Sequence, residues 1–140
     1  MSSSTISNVT RRSWFRLVGA LAAVLFLAPG VWAKDGDVRL STNLSGAAIQ
    51  GVVPSGHADY RARGAERRFS VEVEDVKLPQ GTVLSIVVQG VEVGTVALDS
   101  LGGADLNLDS RIDTVPVVAS GSLIVVTVKS SGQAILSGVI

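Results

Sequence analysis

The chain has 140 residues, no cysteine, one histidine and a formal net charge of zero. Without thiols it has no disulfides, thiolate metal sites or Cys-x-x-Cys haem attachment, and one histidine alone does not make a zinc or copper site of the usual composition. From Lys34 onward nine basic residues stand against twelve acidic ones, and this net charge of −3 argues against nucleic acid or an anionic membrane surface as partner.

The chain opens with a basic, aromatic-rich stretch, Thr10 to Arg16, that runs into the apolar segment Leu17 to Leu27. Pro29-Gly30 breaks that segment, and Val31-Trp32-Ala33 supplies a small-residue end suited to signal peptidase. The apolar stretch is shorter than the roughly 20 residues of a spanning helix. Residues 1–33 are therefore read as a helical signal peptide, and residues 34–140 as one exported domain. The run Thr10-Arg11-Arg12-Ser13-Trp14-Phe15-Arg16 resembles the twin-arginine export motif, with Trp14 and Phe15 departing from its commonest residues. A general secretory signal accepts the same positive start.

Beyond Asp37 the apolar residues alternate with period two, the signature of half-buried strands. In chain order the expected strands are Val38 to Leu44, Ala47 to Val53, Ala58 to Ala62, Arg68 to Glu74, Thr82 to Val88, Val91 to Leu98, Ala104 to Leu108, Val115 to Val118, Ser122 to Val128 and Gln133 to Ile140. Gln89-Gly90 reads as a tight hairpin turn, because Gly supplies positive φ at no steric cost. Pro79 to Val88 and Ala119 to Val128 echo each other, each a Gly-led turn feeding an apolar strand. Short strands in this number, with regular turn signals between them, indicate a sandwich or barrel. The last strand, if at an edge, offers weak self-association, and no sorting motif or hydrophobic tail follows it.

Few residues in this pattern suggest chemistry. His57 has Ser55 and Asp59 near it in sequence, but such local spacing does not build a catalytic triad, and a surface turn histidine is expected. Asp105, Asn107, Asp109 and Asp113 begin like a calcium loop, yet Ser110 replaces the turn glycine and Pro116 the bidentate glutamate. On a strand the same spacing places Asp105, Asn107 and Asp109 on one solvent face. Carboxylate pairs such as Glu72 and Glu74 lack the aromatic-lined cleft of sugar hydrolysis. Arg61, Arg63, Arg67 and Arg68, with Tyr60 beside them, flank Gly64-Ala65 on two adjacent strands. They form either an anion or partner site or a charged hairpin edge that resists aggregation.

The run Gly56 to Arg61 followed by Phe69 to Thr82 resembles small secreted bacterial β-sandwich domains, and more loosely the chordin-type and copper-zinc superoxide dismutase sandwiches. In those sandwiches the strand after the corner carries metal ligands, whereas here Val83 to Val88 is apolar. The resemblance implies a single antiparallel β-sandwich, immunoglobulin-like or superoxide-dismutase-like, without metal. The sequence thus predicts an exported, non-catalytic binding or structural module of the periplasm or exterior. It is expected to have no cofactor and no membrane anchor after signal cleavage, and its partner would be a protein or glycan. The alternative is a calcium-dependent or enzymatic protein using Asp105 to Asp113.

Overall fold

The computed structural model describes residues 36–140. The expected signal peptide lies outside the described residues. Eight strands follow in order: β1 (Val38–Ser45), β2 (Ser55–Arg63), β3 (Glu66–Glu74), β4 (Val83–Val88), β5 (Val91–Ala97), β6 (Ala104–Asp109), β7 (Leu123–Val128) and β8 (Ala134–Val139). Every pairing is antiparallel, in the order β5-β4-β7-β8-β1-β2-β3-β6. The all-β, antiparallel class read from the period-two alternation is the class observed.

Two expected strands are absent among the described residues, and each has a local cause. Within Ala47 to Val53, Gln50 and Gly51 both take positive φ (51° and 80°), and Ile49 and Val52 exchange backbone hydrogen bonds of 2.8 and 3.0 Å. A two-residue turn with both φ positive folds this segment back on itself. Val115 to Val118 crosses the barrel mouth without a ladder, burying Val115 and Val118 while Val117 stays 75% exposed. Gln89-Gly90 forms the expected turn, with φ of 50° and 82°. The internal echo is one turn used twice: Thr82 N–H donates to the Pro79 carbonyl and Ser122 N–H to that of Ala119, both at 3.1 Å. Gly81 and Gly121 hold φ of 89° and 94°, the glycine position of a type II turn.

Hydrogen bonding makes one curled sheet where two separate sheets were expected. The halves β5-β4-β7-β8 and β1-β2-β3-β6 are joined by a single bridge, Ser45 to Ser137. At that seam the backbones approach so closely that only glycine fits: a Cβ on Gly138 would lie 2.6 Å from the Asn43 carbonyl oxygen, and one on Gly46 would collide with that of Ile135. At the other seam β5 meets β6, where a Cβ on Gly94 would lie 2.9 Å from both methyls of Leu106. The result is a nearly closed barrel. Inward residues of every strand pair fill it, with Phe69, Leu84, Ile86, Ile124, Val126 and Leu136 almost wholly buried. A bulge between Val126 and Thr127 lets β8 bury Ile135 and Leu136 in succession.

Candidate functional site

Alternation assigns the polar residues of β1, β2, β3 and β6 to the outer face of one half-barrel. Register then aligns them in rows across the strands. Arg39 lies opposite Arg61, Arg61 opposite Arg68, and Arg68 opposite Asp109. The next row is Ser41, Asp59, Ser70 and Asn107, and the one beyond is Asn43, His57, Glu72 and Asp105. One face therefore runs from an arginine row to an acidic row over four residues of strand.

The arginine row has few internal counter-charges. Arg68 Nε lies 3.3 Å from Asp109 Oδ2, and Arg39 Nε lies 4.0 Å from Asp37 Oδ1. Among the described residues, Arg61 and Arg63 have no carboxylate within ion-pair distance, although Arg63 stands opposite Glu66. Like charges directly opposite on neighbouring strands destabilise a sheet. Arg61, Arg63, Glu66 and Arg68 line a depression of about 140 Å³. A second hollow of about 320 Å³ follows β1 and β2 past Arg39, Ser41, Asp59 and Arg61.

The remaining residues of the predicted cluster take other positions. Tyr60 points inward and is 3% exposed, so its ring belongs to the core. Arg67 has the inward parity of Phe69 at the barrel mouth, where its N–H donates to Ser110 Oγ (2.9 Å) and its Nε is buried without a partner. Arg39 and Arg111 complete the basic group, and sequence reasoning missed both. Alternation gave Arg39 its face, but only the β1–β2 register places it level with Arg61.

Asp109 is held by arginine. Its Oδ2 accepts from Arg111 Nη2 at 2.6 Å, and its Oδ1 accepts from both Nε and the backbone N–H of Arg111 at 3.0 Å. The Arg111 guanidinium first, its backbone N–H next and the Arg68 charge last hold the Asp109 carboxyl well below the usual carboxylate range. Asp113 Oδ2 accepts from the Asp109 N–H at 3.1 Å. Asp105 and Asn107 lie in the next rows of the outer face, so the four calcium candidates are spread along β6 and its following turn. Among the described residues, no group of three or more His, Asp or Glu is placed to hold a metal. His57 sits in β2 and not in a turn; its Nδ1 lies 3.0 Å from Asn43 Oδ1 and its Nε2 3.3 Å from Asp59 Oδ2. Among the described residues, no hydroxyl is a hydrogen-bond partner of this ring.

No known protein family matches the chain, and no curated protein resembles it.

Proposed function

We propose that this domain is an exported, non-catalytic binding module whose outer arginine row holds a ligand bearing several phosphate, sulfate or carboxylate groups. The observation that carries the reading is the single register row Arg39, Arg61 and Arg68. Neighbouring strands are about 4.8 Å apart, so three guanidiniums are offered at the spacing of adjacent anionic groups on a polymer or surface. Guanidinium binds such groups through paired, charge-assisted hydrogen bonds. A like-charged row that lowers the stability of the free sheet is relieved when an anion bridges it. Export rests on the basic and apolar character of residues 1–33. In fold terms, two four-stranded halves joined by one bridge support reading the barrel as a sandwich of the immunoglobulin-like or superoxide-dismutase-like kind with one corner still hydrogen-bonded.

Titration of the full chain with dextran sulfate tests the site. Binding is expected to weaken as salt rises, and R61S/R68S is expected to weaken it about tenfold, because two exposed charged contacts of about 0.7 kcal/mol each are lost. Equal binding by the variant would sink the reading.

A further inference from the structure

Antiparallel pairing gives the barrel two distinct ends. The start of β1, the Gly64-Ala65 and Gln89-Gly90 turns, the β6–β7 connection (110–122) and the end of β8 lie at one of them. The 46–54, 75–82, 98–103 and 129–133 connections lie at the other. All six arginines among the described residues, Arg39, Arg61, Arg63, Arg67, Arg68 and Arg111, belong to the first end. Both described lysines, Lys77 and Lys129, lie in connections of the second end, in company with Glu72, Glu74, Asp75, Asp99 and Asp105. That first end also holds Asp37, Glu66, Glu92, Asp109 and Asp113, so its six arginines leave a small positive excess in a chain that is net negative beyond residue 34.

The same end carries exposed aliphatic side chains. Ile112 is 85% exposed, Val117 75%, Val91 64% and Val139 59%. Ile112 is tied to the basic row through one turn: its N–H donates to the Asp109 carbonyl at 2.9 Å, while Arg111 and Arg68 share the Asp109 carboxylate. Leu123, 43% exposed, lies opposite Val139, and its carbonyl accepts from the Gln89 N–H at 2.9 Å, which brings Val91 and its turn alongside. Aliphatic side chains therefore stand on both sides of the arginine group. A soluble polyanion has no use for them, whereas a bilayer interface takes guanidinium at its phosphates and aliphatic groups at the acyl boundary.

We propose that the arginine end of the barrel docks on a bilayer surface rich in anionic phospholipid, with Arg61, Arg63 and Arg68 on headgroup phosphates and Ile112 and Val117 in the interface. The inference rests on the anion-binding reading above and names the source of the anions. It also explains why arginine is used throughout this end: guanidinium is less strongly hydrated than ammonium and binds phosphate in a fork.

Because the chain has no cysteine, a single I112C substitution accepts one environment-sensitive fluorophore in the full chain. L101C serves as the reference, since Leu101 is 87% exposed in the 98–103 connection at the opposite end. Vesicles of phosphatidylglycerol and phosphatidylcholine are expected to shift the I112C emission to the blue at about tenfold less lipid than phosphatidylcholine alone, with the L101C label unmoved. Adding R61S/R68S is expected to raise the lipid requirement about tenfold. The proposal is overturned by an unmoved I112C label, by equal shifts at both labels, or by phosphatidylcholine acting as well as phosphatidylglycerol. If dextran sulfate binds while the I112C label ignores anionic vesicles, docking falls and the anion-binding reading stands. If dextran sulfate also fails to bind, both fall.

Discussion

Asp109 is engaged by arginine in the turn that follows β6. The spacing of Asp105, Asn107 and Asp109 suits an oxygen-ligand loop, and in the folded chain the two Asp109 oxygens accept from the guanidinium and the backbone N–H of Arg111. Its folded pKa lies below the unfolded one, so the stabilisation it contributes is present above about pH 3.9 and is lost as pH falls toward the folded value. Replacing Arg111 removes the largest cause, so R111A is expected to move the Asp109 midpoint upward toward the ordinary aspartate value in a carboxyl NMR titration. An unchanged midpoint would contradict the geometry. Arg61 makes the complementary case, for it sits between two arginines with no described counter-charge. R61S is expected to leave stability within about 0.5 kcal/mol or raise it slightly, since a like-charge contact is relieved, while polyanion binding drops. The arginine pattern was legible as a cluster; that Arg61, Arg63 and Arg68 share an outer face while Arg67 and Tyr60 turn inward follows from strand parity, which the hairpin register sets.

Among the elements, hairpins with a Gly in the turn were the most readable, because a two-residue loop with positive φ leaves the chain few alternatives. Gln89-Gly90 and Gln50-Gly51 carry the same residue pair and make the same kind of turn, yet only the first was recognised. At the second, the flanking Ala47-Ala48-Ile49 and Val52-Val53 read as one continuous apolar strand, and apolar runs outweigh a turn signal when neighbours in space are unknown. The seam between β1 and β8 was invisible for a related reason. Gly46 and Gly138 look like ordinary loop and strand glycines, and only the close crossing of two distant segments explains them. G138A is expected to cost about 1 to 3 kcal/mol by overpacking, because the new methyl meets the Asn43 carbonyl and Leu44 side chain at 2.6 and 2.9 Å. Urea denaturation measures this, and an unaltered midpoint would mean that the seam yields without strain.

Over the whole molecule, several carboxylates share one direction of pH response. Glu92 is held low by Lys129 and then Ser85, and Asp99 by the backbone N–H groups of Gly103 and Leu101. Together with Asp109, each is depressed in the folded state, so each contributes stability above the ordinary carboxylate range that disappears below it. The melting temperature is therefore expected to fall as pH drops through about 4 and to change little between pH 6 and 8 on their account. A melting temperature that held steady from pH 6 to 3 would show that these contacts do not form in solution. The segregation of arginine to one end and lysine to the other also belongs to this scale, since net charge is a sum and a surface responds to its local field.

The sequence by itself determined the all-β class, most strand positions and the type of the clearest turns. Those features depend on period-two burial and on φ preferences within a few residues, so a single segment contains the whole cause. The tertiary structure alone decided that two four-stranded halves form one curled sheet, that Arg39, Arg61 and Arg68 stand in one row, and that Asp109 stands beside Arg68. Each of these joins residues far apart in the chain, and their relation is set by register and by close backbone approach at glycine, quantities that no local pattern encodes.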